Sequence, residues 1–129
     1  MDLRKNKRFM MVGDIEKTIS LFFVEFDLDA AESIRAEIFD ISLGGVAVDI
    51  SNVTGSQKSK IEALDDFFIR LHYKNSMFLI GVEPAWKIFK KQNADINYKG
   101  GFKFDLISEQ DRLKLSDLIE ELRSSEFLS

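Results

Sequence analysis

The chain has 129 residues, 45% hydrophobic and 31% charged, which suits one ordinary soluble domain with a sizeable core and leaves no room for a second. It has no cysteine and a single histidine, His72, which excludes disulfides, thiolate chemistry and multi-histidine metal sites. Net charge is −4, yet residues 1–10 carry +3 and the remainder −7, and so acidic a body does not suit general binding to DNA.

The start, Met1-Asp2-Leu3-Arg4, has an acid at position 2 and no long apolar run behind its basic residues, so it does not read as a signal peptide. The most apolar segment, Ile19 to Phe26, is too short to span a bilayer and contains Glu25, so no membrane insertion and a cytoplasmic protein are expected. Residues 1–13 are polar and basic, with Arg4, Lys5, Lys7 and Arg8 and no helical periodicity. They read as a flexible basic arm ahead of a domain over residues 14–129. From Lys17 to Asp27 the chain is β-branched and aromatic and apolar on both faces, as in a strand covered on both sides at its centre.

After a polar break, Ile34 to Ile38 alternates with period two, as do Val46, Val48 and Ile50 beyond Asp40-Ile41-Ser42-Leu43-Gly44-Gly45. Two strands therefore flank a sharp turn, in which Asp40 and Ser42 can bond nearby backbone and the glycines allow positive φ or a close ligand. Residues 51–66, with Ile61 and Leu64 as their apolar anchors, read as a long connection. Phe67, Ile69, Leu71 and Tyr73 then share one side of a strand, with Phe68, Arg70, His72 and Lys74 on the other. Lys74-Asn75-Ser76 closes a hairpin onto Met77–Val82. Pro84 should interrupt that ladder before Trp86, Ile88 and Phe89 resume it.

Gly100-Gly101 reads as a bend before the alternating run 102–106. The period then changes: Ser108 caps a helix over about 108–123, with Leu115, Leu118, Ile119 and Leu122 on one stripe and Leu113 off it. The pattern predicts a mainly all-β fold, a six- to seven-stranded antiparallel barrel closed by one C-terminal α-helix.

Arg4 and Arg8 supply forked donors suited to phosphate oxygens and the acceptor edge of guanine. A charge run near a terminus is commonly a solvated tail, and Asp-x-Ser-x-x-Gly is common in hairpins for backbone reasons. Their order is the stronger signal: the arm precedes the first strand and the turn follows the second. An Arg-x-x-x-Arg (Arg4, Arg8) followed by Asp-x-Ser-x-x-Gly (Asp40, Ser42, Gly45) resembles the PilZ domain, the bacterial receptor module for cyclic di-GMP. The likeness extends through Trp86, Tyr98-Lys99-Gly100-Gly101-Phe102 and the closing helix.

The resemblance implies a six-stranded barrel on whose outer face the arm folds over the nucleotide. Arg4 and Arg8 would grip phosphates and guanine edges, and Asp40, Ser42 and Gly45 would contact the other base, with Leu3, Lys5, Gly44 and Trp86 as secondary contacts. It implies a receptor in second-messenger signalling, of the kind that regulates motility or biofilm formation. In the family a basic residue just before the first arginine accompanies two stacked nucleotides; here that place is Leu3, which implies one cyclic di-GMP per chain. Because the arm starts three residues into the chain, any output should pass through a separate effector protein, from a monomer or weak dimer. The alternative is a PilZ-like adaptor that docks a partner, through its acidic helix or the 51–66 loop, without nucleotide.

Trp86 reads equally as a surface on which a base stacks and as a barrel core or rim residue. Lys87, Lys90 and Lys91 read as guards of a strand edge, His72 as an exposed strand residue and Asp27 with Asp29 as a turn. With no Ser-His-Asp set, no clustered metal ligands and no phosphate-cradling helix start, neither an enzyme, a metal nor a cofactor is expected.

Overall fold

The computed structural model describes Phe9–Met10 and residues 22–124. Seven strands, β1 (Phe9–Met10), β2 (Phe22–Asp27), β3 (Ser33–Ser42), β4 (Gly45–Ile50), β5 (Phe67–Tyr73), β6 (Ser76–Gln92) and β7 (Asp95–Leu106), form one antiparallel sheet in the order β1-β3-β2-β5-β6-β7-β4. Pairing of β3 with β4 closes strands β2 to β7 into a six-stranded barrel. β3 is shared lengthwise on one side: Ser33–Glu37 pair with β2, and Asp40–Ile41 pair with β1. Of the expected first strand, residues 17–21 lie outside the described residues.

Period-two alternation does what the sequence predicts. Val24, Phe26, Ala36, Ile38, Val46, Val48, Ile69 and Leu71 point into a single core. At its centre Phe26, Phe67 and Phe102 pack edge-on and tilted, with ring centroids 5.2 to 5.6 Å apart. Two-residue turns close the β5–β6 and β6–β7 hairpins, and their leading residues, Lys74 (φ 53°) and Asn93 (φ 57°), adopt the left-handed conformation these turns require.

Two expectations are corrected. Residues 51–66 are not a plain connection: they contain a helix, α1 (Gly55–Ala63), so the fold has two helices among the described residues. Thr54 Oγ1 accepts from Gln57 N while Gln57 Oε1 accepts from Thr54 N, a reciprocal cap that sets the helix start. α1 buries a single side chain, Ile61, so it leaves no 3.6-residue hydrophobic period to read.

As expected, the ladder is interrupted at Pro84, by an irregularity between Pro84 and Trp86, and resumes beyond it within one 17-residue strand, β6. Gly100-Gly101, by contrast, is no bend, since β7 runs straight through it. Beyond Val82, β6 pairs with β7, and Lys87 Nζ donates to Glu62 O of α1 at 3.1 Å.

The C-terminal helix, α2 (Glu109–Arg123), starts where Ser108 Oγ accepts from Asp111 N. Leu115, Leu118, Ile119 and Leu122 seat it on the barrel, while Leu113 faces solvent. Lys74 Nζ, 2.7 Å from Glu121, ties it to the β5–β6 hairpin. Among the described residues no helix is long and apolar enough to cross a membrane.

Candidate functional site

β1 brings the end of the basic arm to the turn. Phe9 is the register partner of Ile41 and Met10 that of Asp40, so the chain leading out of Arg8 runs antiparallel beside the start of the Asp40–Gly45 motif. Arg4, Arg8, Leu3 and Lys5 themselves lie outside the described residues.

The turn is a two-residue hairpin, Leu43-Gly44, between the paired Ser42 and Gly45. Ser42 Oγ accepts from Gly44 N at 3.1 Å, and Gly44 O accepts from Phe104 N at 2.9 Å, which fastens the turn to β7. Gly45 sits opposite Lys103, and a Cβ there would run into the Phe102 carbonyl oxygen. Glycine is therefore demanded at this position by the close approach of β4 to β7.

Asp40 and Ser42 are buried, at 6% and 4% exposure, unlike the solvent-facing residues a bare hairpin tip would carry. An irregularity between Ile38 and Asp40 offsets the alternation of β3 just before the motif. Ile41 thus enters the core cluster while Asp40 and Ser42 do not.

Register places Trp86 on the same lateral row. Trp86 pairs with Gly101, Gly101 with Ala47, Ala47 with Asp40 and Asp40 with Met10. At about 4.8 Å per strand, Trp86 stands roughly 14 Å from Asp40 along that row. Its indole lies back over Gly101, occupying the space a Cβ would need. Trp86 is thus a partly exposed rim residue of the barrel wall.

Of the residues between, Gly101 reads in the sequence as part of a bend and Ala47 carries no role there, and neither is assigned to the site.

One row on, Asp49 pairs with Lys99. Partial burial pushes the Asp49 carboxyl above its ordinary range, against the pull of Lys99. Burial also holds the Tyr98 phenol far above its ordinary value, and its hydroxyl has no hydrogen-bond partner among the described residues.

His72 is covered more than expected. Its ring stacks on Phe23 at 4.5 Å and its Nε2 lies 3.4 Å from Glu25. Among the described residues, one group of side chains could chelate an ion: Asp66, Glu83 and Asp105, whose carboxylate oxygens lie within 4.8 Å of one another. Such groups are common on protein surfaces without a metal.

No family model and no curated protein matches the chain. Solved structures do. The PilZ domain of YcgR from Escherichia coli, with c-di-GMP, aligns with a TM-score of 0.69 at 15% identity over 95% of this chain and 92% of that one. MrkH of K. pneumonia, in its c-di-GMP complex, aligns at 0.70 and 16% identity over 95% of this chain and 53% of its own. PlzA of Borreliella burgdorferi, also in complex with c-di-GMP, aligns at 0.60 and 13% over 97% of this chain and 55% of its own. The chain thus spans about half the length of the MrkH and PlzA chains and nearly all of the YcgR domain. At these identities the likeness is one of fold alone: the closed barrel with its C-terminal helix is PilZ-like in fold.

Proposed function

We propose that the chain is a non-catalytic cytoplasmic receptor for cyclic di-GMP, binding one dinucleotide between the arm and the Asp40–Gly45 turn. The observation that carries the reading is the β1–β3 pairing, Phe9 with Ile41 and Met10 with Asp40, which anchors the arm one residue after Arg8. On this reading Arg4 and Arg8 bind phosphate oxygens and a guanine edge, with Leu3 and Lys5 beside them. Asp40, Ser42, Gly44 and Gly45 form the opposite wall, and Trp86 stacks at its margin. That three structures of the same fold contain c-di-GMP supports the choice of ligand.

Binding neutralises the repulsion among Arg4, Lys5, Lys7 and Arg8 and draws the arm onto the barrel. The new surface is read by a separate protein. Arm residues should therefore become more resistant to limited proteolysis when ligand is added.

Titration calorimetry tests the receptor reading. Wild-type protein should give saturable heat at one cyclic di-GMP per chain. Arg8→Ala should weaken binding about thirtyfold, on the order of 2 kcal/mol for one charged hydrogen-bonded contact. No heat at tens of micromolar protein would overturn it. A second reading, a PilZ-like adaptor without nucleotide, draws support from Ser42 and Gly45, which the Gly44 N–H and the Phe102 carbonyl give a structural reason to be there. Partner capture unaffected by cyclic di-GMP would favour that reading.

A further inference from the structure

Four large apolar side chains left in solvent share one patch. Phe68 (50% exposed), Met77 (52%), Leu79 (51%) and Leu106 (62%) lie on the outer side of the β5–β6 hairpin and the end of β7. Phe68 pairs with Gly81, Arg70 with Leu79 and His72 with Met77. A Cβ built on Gly81 would stand 2.9 Å from Leu106 Cβ and 3.3 Å from the Phe68 ring, so those two side chains converge over the bare glycine. In the closed barrel β2 alone stands between β5 and β3, and Leu106 lies two residues beyond Phe104, whose N–H bonds Gly44 O, so the patch begins near the Asp40–Gly45 turn and extends from it over β6 and β5. A contiguous apolar surface of this kind on a closed barrel marks an interaction site.

Charge states what kind of partner fits. At the Phe68–Leu106 end lie Asp66, Glu83 and Asp105, their carboxylate oxygens within 4.8 Å of one another. Beside them among the described residues is Lys103, itself 68% exposed and 3.7 Å from Glu83. In the middle, opposite Leu79, Arg70 is shared between Glu25 at 3.2 Å and Asp27 at 3.0 Å, with Arg35 the register partner of Glu25. Carboxylates thus outnumber cations around the patch. Crowded like charges favour an incoming ammonium or guanidinium and repel a phosphate-rich surface. Nucleic acid and anionic membrane are disfavoured, and so is the acidic face of a second copy.

We propose that the outer β5–β6 face, through Phe68, Met77, Leu79 and Leu106, docks a segment of a partner protein that carries aliphatic side chains beside lysine or arginine. This face uses none of the Asp40, Ser42 and Gly45 side chains and so does not rest on the receptor reading.

The probe is an end-capped twelve-residue peptide of alternating leucine and lysine, titrated into the full chain and followed by amide NMR, with a leucine–glutamate peptide as comparison. Amide shifts should centre on residues 68–72, 77–81 and 105–106, and the leucine–glutamate peptide should bind at least tenfold more weakly. Leu79→Ser with Leu106→Ser should weaken the lysine peptide tenfold or more, and so should Glu83→Gln with Asp105→Asn. All four side chains face solvent or are only partly covered, so thermal melts should stay near wild type. Cyclic di-GMP heat should be the same in these variants as in wild type, which separates this test from that of the receptor reading. Shifts centred elsewhere, equal affinity for the two peptides, or insensitivity to both double variants would overturn the proposal. So would a dimer in light scattering that Leu79→Ser with Leu106→Ser dissociates, since it would assign the face to a second copy.

Discussion

Gly45→Ala separates a structural from a ligand-driven demand for glycine at the end of the turn. The added methyl meets the Phe102 carbonyl oxygen, a backbone atom held by the β4–β7 ladder on one side and the β6–β7 ladder on the other. It cannot rotate away as a flexible side chain would, so relief requires moving β4 or β7. Overpacking of this sort costs about 1–3 kcal/mol, and a partner fixed on both sides belongs at the upper end, about 2–3 kcal/mol. That is a large share of the roughly 5–15 kcal/mol that holds such a domain together. It corresponds to a fall in melting temperature of about 8–12 °C at this chain length. Urea unfolding of Gly45→Ala should show a lower midpoint at an unchanged slope. A midpoint within about 0.5 kcal/mol of wild type, paired with lost cyclic di-GMP heat, would refute the packing argument and return the glycine wholly to the ligand.

Ile61 is the one side chain that α1 buries, so Ile61→Ala should cost about 2–4 kcal/mol in urea unfolding, far more than any other truncation within that helix. Tyr98 keeps its proton in the folded state well above the value near 10 at which the unfolded chain loses it, so stability should decline as pH rises beyond about 10, by up to about 1.4 kcal/mol per unit. Tyr98→Phe should remove that part of the alkaline slope and, since the lost hydroxyl makes no hydrogen bond, cost less than about 1 kcal/mol at pH 7. Asp49, with a folded-state pKa raised by burial, opposes folding once the carboxyl ionises; stability from this group falls as pH rises through the carboxylate range, and Asp49→Asn should therefore be more stable than wild type at pH 7.

Where a side chain's period decides its burial, the sequence was legible. The alternation of β3 and β5 and the i, i+3, i+4, i+7 stripe of α2 located the core faces, because those elements bury one side and leave the other more open, whereas β4 is covered on both sides. α1 was not legible by that signal, since one buried isoleucine makes no period and its evidence was the Thr54–Gln57 cap alone. Pro84 was legible, since the register slips where the proline falls. Gly100-Gly101 misled: glycines act as breakers in isolation, but β7 keeps its ladder through them and Gly101 makes room for the Trp86 indole.

The candidate site was legible by residue type and illegible by depth. Asp40, Ser42 and Gly45 show their chemistry in one-letter code, whereas their burial, and the carbonyl against Gly45, depend on strands some sixty residues downstream. Two members of the turn have a reason to be what they are that requires no ligand: Ser42 accepts from Gly44 N and Gly45 clears Phe102, whereas cover alone is a cost for the Asp40 carboxylate. Ser42 and Gly45 alone therefore cannot distinguish a receptor from an adaptor built on the same barrel. Arg4 and Arg8 can, because they precede β1 in the chain and arginine is a residue type that cores seldom bury. If the barrel's stability is indifferent to Arg4→Ala and Arg8→Ala while cyclic di-GMP heat is lost in both, the arm is there for an anion. If stability falls and no heat is seen in any form, the arm is part of the scaffold, and the protein's work lies on its other faces.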